Sequence, residues 1–515
     1  MSLSRAWLFI LILLLGLGLT LRLIDLTDPP LDFHTSRQLR NTLVARDIYY
    51  HLLPDADPKT LELTSSFHRA VGEYEPPIIE SLVAVTYLAT GGENYAAPRI
   101  WESLFWVLAG LALFDLARRA LSPGAALAAL AYYLVLPFAV QASRSFQPDP
   151  LMTSAFVVGI YGLYRWSEAF SSRPLGDRDA RVPAKVSRSE AQGGQGVREW
   201  KWAILAGGLL GFAALVKIVI AFFAGAAAIS IVIFTLRKDF WKSRQAWAMA
   251  ALMVLPALIF YVFLQPGRSS EYFINWSVAL FKLIAGTDFY SKWLAFLGSL
   301  FGLTVLFASV AGTLLAPPRL RWLLIGCWIG YLVYGLTLPF QMYTHSYYHI
   351  QLVPVVALGL AAALDPLLER AAAQSPARRA AFVGVIVVLI AYQSWVARSV
   401  LIAEDFRAEP PVWAAIGRAI PADAPVIGLT QDYGYRLMLW GWRKVSLWPL
   451  STDLAELRNE DRDPASRFDE ITAGQDYFLV TAFGQLEKQP ELQQILDAYP
   501  IAAEGDGYVL YDLRK

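Results

Sequence analysis

The sequence predicts a polytopic α-helical membrane protein of about eleven spans, with interfacial helices in its first outer loop and a small C-terminal α/β domain outside the cytoplasm. Three observations carry this. Of 515 residues, 56% are hydrophobic and only 17% charged, too apolar for a soluble domain of this length. The apolar residues gather in blocks close to the roughly 17–25 residues that a hydrocarbon core of about 30 Å requires. Lys and Arg collect in alternate loops, as cytoplasmic loops of membrane proteins do.

The blocks lie near residues 6–23, 99–117, 124–141, 150–166, 202–217, 219–236, 246–264, 293–315, 322–339, 350–366 and 380–397. The first is read as a retained span rather than a signal peptide, because the run is long and no small-x-small cleavage site follows it. Arg5, Arg118 with Arg119, the segment 167–201, Arg237 to Arg244, Arg319 with Arg321, and Arg370 to Arg379 then all fall on the cytoplasmic side. The segment 167–201 carries seven Lys or Arg and reads as a flexible linker. Residues 24–98 differ, holding eleven Asp or Glu against five Lys or Arg. The one apolar helix there, at 76–90, starts at Pro76-Pro77, contains Glu80, and is read as interfacial. A span at that point would invert the side of every later loop.

From residue 399 the pattern turns polar. Strand-like runs at Pro425–Leu429, Tyr477–Thr481 and Gly507–Tyr511 alternate with helix-like runs at Pro411–Ala419 and Glu491–Tyr499, the signature of a small α/β domain. The chain thus divides into a membrane domain, 1–398, including the outer loop 24–98, and an outer domain, 399–515. The single cysteine, Cys327, excludes a disulfide framework or thiolate metal site within the chain. No basic patch calls for nucleic acid, and no Gly-rich phosphate loop follows a strand.

Charged motifs sit at the outer ends of spans. They are Pro30 to Gln38, which holds Asp32, His34 and Arg37; Tyr74-Glu75-Pro76-Pro77; and Ser143-Arg144-Ser145-Phe146-Gln147-Pro148-Asp149-Pro150. With Ala97-Pro98-Arg99, which opens the span ending in Arg118-Arg119, these stretches over about residues 1–170 resemble the transmembrane glycosyltransferases of the large C-type fold. That group holds the protein O-mannosyltransferases and aminoarabinose transferases (glycosyltransferase families 39 and 83). Leu215-Val216-Lys217 and Tyr347-Tyr348-His349-Ile350 are similar only loosely.

The resemblance implies sugar transfer from a polyprenyl-phosphate donor to a protein, lipid or glycan acceptor on the outer face of the plasma (inner) membrane. Asp32 is expected to be the general base, and attack with one base and no covalent sugar intermediate would invert the anomeric centre. Asp149 resembles the second outer acidic residue of the fold, which in relatives helps to organise the site or a metal, and is expected to be catalytic with Asp32. The leaving lipid phosphate needs cations, and Arg37, Arg144, Lys217 and His349 are the candidates, with His34, Glu75 and His345 supporting them. Glu75 stands where aminoarabinose transferases have Lys, so a phosphate contact does not carry over to it. A divalent metal held by carboxylates with His34 or His349 stays open, although the spacing does not demand one.

Each of these residues has a plainer reading. Asp25, Asp28, Asp55 and Asp57 read as merely solvated; Arg144 with Asp149 could be an ion pair capping helix ends; Lys217 could snorkel; and His345 and His349 could join Tyr343, Tyr347 and Tyr348 in an aromatic belt. The rival functions are a transporter or flippase, which would show repeated halves and midplane charges, and a non-catalytic assembly subunit.

Overall fold

The computed structural model describes residues 4–171, 189–265, 274–452, 457 and 463–514. The chain divides into two compact units: Met1–Ile24, Tyr74–Pro76 and Arg99–Ile402 form the first, and Asp25–Glu73, Pro77–Pro98 and Ala403–Lys515 the second.

In the first unit, long apolar helices dominate. Among the described residues, eight helices are long and apolar enough to cross a membrane, and nine if a bent pair counts as one span. Eight of the eleven blocks read from sequence coincide with these helices. The other three show why hydropathy alone is a coarse ruler. The 124–141 block is two helices, Pro123–Val135 and Pro137–Ala142, because Pro137 cannot continue the first. The 150–166 block is a continuous helix, Pro148–Ser171, that stays below the apolar threshold. The 293–315 block bends by 94° between Thr287–Phe301 and Leu303–Leu315, at Gly302, whose φ of 80° an L side chain rarely adopts. Of the basic segment read as a linker, 172–188 lies outside the described residues, while 189–201 belongs to the helix Ser189–Val216.

Small residues set the helix crossings here, as expected where lipid removes the hydrophobic drive for association. A Cβ on Gly312 would lie 1.9 Å from the Gly359 carbonyl oxygen, so the helices Leu303–Leu315 and Val353–Ala372 meet backbone to backbone. Arg22, buried at the end of the first helix, donates to Ser143 Oγ (2.7 Å) and to the carbonyls of Gly18 (2.8 Å) and Leu134 (2.9 Å). It thereby occupies a carbonyl left over where Pro123–Val135 breaks off.

The second unit joins segments of residues 25–98 to the C-terminal tail. The helices Thr35–Leu52, Pro58–Val71 and Ile78–Thr90 come from the loop. At 1.5 Å per residue the 13-residue Ile78–Thr90 helix reaches about 20 Å, short of a bilayer core. The tail supplies a five-stranded sheet in the order β2-β1-β3-β5-β4: β1 Val426–Leu429, β2 Ser446–Leu447, β3 Tyr477–Val480, β4 Ile501–Gly505 and β5 Tyr508–Asp512. β1 runs parallel to β2 and β3, and β5 antiparallel to β3 and β4. Strands β2 and β4 escape the sequence reading because they are a two-residue strand and an exposed edge. Leu31, Leu39, Leu43, Val44, Phe67 and Val71 from the loop share one core with Trp413, Leu437, Leu439, Leu479 and Leu510. Arg46 fastens the same parts. It grips the Glu93 carboxylate through Nε (3.0 Å) and Nη2 (3.0 Å), donates to the Leu439 carbonyl (2.6 Å), and stacks 4.5 Å from the Trp442 ring.

Candidate functional site

In the second unit, the Asp32 turn is built on its neighbours. Leu31 and Leu39 are fixed in the core, and Thr35 Oγ1 donates back to the Leu31 carbonyl at 2.9 Å, which closes the turn at the helix start. His34, at φ 48° and ψ 63°, takes the left-handed conformation that reverses the chain into Thr35–Leu52, and its ring meets Phe33 edge to face. Asp32 is partly buried, and its Oδ1 accepts from Gln38 Nε2 at 3.0 Å. Arg37 is partly buried one position before Gln38.

The nearby carboxylates differ from the reading that they are only solvated. Asp28 is 2% exposed and accepts from the Phe406 amide at 2.9 Å, and Arg407 pairs with Asp25. Asp57 caps the helix Pro58–Val71 by accepting from the Thr60 amide at 3.0 Å. The sequence hid the Asp28 role because its partner lies nearly four hundred residues away.

A second polar cluster joins the helices Thr35–Leu52 and Pro58–Val71. Asp47 accepts from Thr64 Oγ1 and Ser65 Oγ, each at 3.0 Å, and lies 2.7 Å from His68 Nδ1; His68 Nε2 is 3.0 Å from Glu73. Burial pushes the Asp47 carboxyl up, but the bonds from His68, Thr64 and Ser65 outweigh it and hold the group below its ordinary 3.8. A carboxyl held down by folding stabilises the fold above its unfolded value and loses that contribution as pH falls through the folded one. The share of this helix pair's protease resistance that Asp47 supplies is therefore expected to hold at neutral pH and to be lost as pH falls through the lowered range of its carboxyl. In Asp47→Asn the resistance should already be lower at neutral pH and change less on acidification. Equal resistance of the two proteins at neutral pH would contradict this.

In the first unit, the turn Ser143–Pro150 is buried throughout. Arg144, 1% exposed, donates to the Ile24 carbonyl. Asp149 lies in the first turn of Pro148–Ser171, where the helix dipole favours a carboxylate. Both of its oxygens accept from Lys217 Nζ at 2.8 Å. Lys217 is presented by a break between Ser189–Val216 and the short turn Ile218–Ile220, where the backbone becomes extended. The rings of Tyr347 and Tyr348 lie 4.8 and 5.1 Å from its Nζ, the geometry of cation–π contact. Lys217 is therefore enclosed between a carboxylate and two aromatic rings rather than snorkelling, and Asp149 pairs with it rather than with Arg144. Tyr347 and Tyr348, read as a belt, line this pair.

His349 is placed differently from a phosphate ligand. It is fully buried; Nε2 lies 3.1 Å from the Met342 carbonyl and Nδ1 2.9 Å from Tyr331 OH, which also accepts from Trp293 Nε1 at 2.7 Å. A carbonyl only accepts, so Nε2 carries the proton and Nδ1 takes the tyrosine's. Both nitrogens are engaged by protein partners. His345 is partly buried, with Nδ1 2.7 Å from Thr344 Oγ1, and Glu75 is partly buried in the Tyr74–Pro76 segment. Among the described residues, no group of three or more His, Cys, Asp or Glu side chains is placed to hold a metal ion.

Known proteins bear on this arrangement in two ways. A family model described as dolichyl-phosphate-mannose-protein mannosyltransferase matches residues 75–174, a stretch that takes in Glu75-Pro76-Pro77 and the whole Ser143–Pro150 turn. The fold aligns over 99% of this chain and 98% of the other with ArnT from Cupriavidus metallidurans bound to undecaprenyl phosphate, at 14% identity and a TM-score of 0.57. This chain has the C-type glycosyltransferase fold. The archaeal oligosaccharyltransferase AglB from Archaeoglobus fulgidus, solved with an inhibitory peptide and a dolichol-phosphate, shares the fold at 12% identity and TM-score 0.58, over 96% of this chain and 72% of that one. The arabinofuranosyltransferase AftD from Mycobacteria shares it at 13% and 0.53, over 100% and 42%. No curated protein matches the sequence. The C-type fold read from four short motifs thus extends over nearly the whole chain, including the C-terminal region where no motif was legible.

Proposed function

We propose that this protein transfers a sugar from a polyprenyl-phosphate donor to an acceptor hydroxyl on the outer face of the plasma membrane. The observation that carries the proposal is the full-length likeness to a protein whose structure holds undecaprenyl phosphate. The mannosyltransferase model over the Ser143–Pro150 turn supports it. Asp32 takes the proton of the attacking hydroxyl. The acceptor oxygen bonds to the anomeric carbon as the bond to the phosphate oxygen breaks, with inversion, and the polyprenyl phosphate departs with the electron pair. Arg37, Arg144 and Lys217 supply positive charge for that phosphate; Asp149 holds the Lys217 ammonium, while His34, Glu75 and His345 support the site. With both nitrogens spent on Tyr331 and Met342, His349 serves to hold the turn that carries Tyr347 and Tyr348. The N-terminus is cytoplasmic in this reading, and the C-terminal region is outside.

Purified protein in lipid nanodiscs, supplied with a panel of polyprenyl-phosphate sugars and membrane extract as acceptor, is expected to release free polyprenyl phosphate and label an acceptor. Transfer from nucleotide sugars, with every lipid-linked donor inert, would overturn the proposal.

A further inference from the structure

Gln38 is fully buried, lies one turn into the helix Thr35–Leu52, and spends one amide nitrogen on two acceptors. Nε2 is 3.0 Å from Asp32 Oδ1 and 2.8 Å from the carbonyl oxygen of Phe33. The orientation of the amide follows from chemistry. A backbone carbonyl can only accept, so the atom facing Phe33 must be the NH2 group, and that same group then faces the carboxylate. One N–H holds the backbone of the turn, and the other holds an oxygen of the side chain which that turn presents.

We infer that Gln38 is the positioning residue of the base: its amide, anchored on the Phe33 carbonyl, fixes the rotamer of the Asp32 carboxylate that receives the acceptor's proton. The inference rests on the assignment of Asp32 as base. A neutral donor suits the task. Lys or Arg at this position would hold the carboxylate as a salt bridge and weaken it as a base, whereas an amide orients it without neutralising its charge. The base is thereby set on a helix whose Leu39 and Leu43 are anchored in the core, so its aim is inherited from a rigid element rather than from the loop.

Two substitutions separate positioning from packing. Gln38→Met keeps length and apolar volume but removes the donor. It is expected to lower kcat about 10- to 100-fold, the scale of a lost hydrogen bond to a charged group, with the affinity for polyprenyl phosphate unchanged. Gln38→Glu puts a second carboxylate beside Asp32, and is expected to move the acidic limb of the pH–rate profile to higher pH, and further than Gln38→Met, which only removes a neutral donor. A folded Gln38→Glu protein with the wild-type profile overturns the inference. So does Gln38→Met with wild-type kcat, which remains decisive if the Glu variant does not fold. Asp32→Asn, assayed alongside, reports on the base itself: full turnover there sinks the assignment on which the inference rests, whereas its loss with unaltered Gln38 variants sinks the inference alone.

Discussion

Asp32→Asn is expected to lower sugar transfer by about 10²- to 10⁴-fold, the range that a positioned general base contributes, while leaving the fold and the binding of polyprenyl phosphate intact. The reason is local. Asparagine has the shape of the carboxylate and retains an oxygen that can accept the Gln38 Nε2 hydrogen bond now made to Asp32 Oδ1. The Phe33 carbonyl keeps its own bond to the same amide, and Leu31 and Leu39 stay in the core, so the turn has no cause to move. What is lost is the ability to accept a proton at the moment the acceptor oxygen attacks. The loss should therefore fall on kcat, with the donor dissociation constant within about twofold of wild type. Assays over rising pH should not restore turnover, since an amide has no proton to lose in that range. Full turnover in Asp32→Asn would leave the fold standing and remove the base. An equal loss of donor binding would instead mean that the turn had collapsed.

The contrast between Asp32 and its neighbours shows what the sequence could convey. Hydropathy located the spans because a bilayer imposes length and apolarity on each one separately, so the signal is local and repeats. The bend at Gly302 and the break at Pro137 were harder to see, since a block of apolar residues reads alike whether the helix through it is straight or broken. The Ser143–Pro150 turn and the Asp32 motif could be singled out because their residues are consecutive. Partnerships across the chain could not: Asp28 with Phe406, Arg46 with Leu439, and Lys217 with Asp149 are separated by 378, 393 and 68 residues, and no periodicity links them. The same limit explains His349. It stands four residues after His345, a spacing that an α-helix would put on one face, but the segment forms a tight 3-10 turn from Ser346 to Leu352, and its imidazole goes to Tyr331 and Met342. The sequence named residue types suited to phosphate. Which of them already had protein partners only the fold could decide.

Lys217 carries the largest structural consequence of that kind. Its side chain is 4% exposed and that of Asp149 is 3%, so neither charge has much access to water. Removing one partner leaves the other buried and uncompensated, at a cost of about 3–5 kcal/mol, whereas replacing both by neutral groups is often close to neutral. Lys217→Met alone is therefore expected to lower the thermal unfolding temperature sharply. Adding Asp149→Asn should recover most of that loss, giving a coupling energy that a double-mutant cycle in detergent would measure directly. Activity should not follow stability. If the Lys217 ammonium helps to bear the charge on the departing phosphate, the double variant will be nearly as stable as wild type yet slow, because it has neither the cation nor the carboxylate that aims it. The aromatic walls sharpen the prediction. Tyr347 and Tyr348 stay in place in either variant and still exclude water, but they have no positive charge to offer a lipid phosphate. Recovery of both stability and turnover in the double variant would mean that the pair only holds two helices together, and the phosphate's countercharge would then have to come from Arg144 and Arg37.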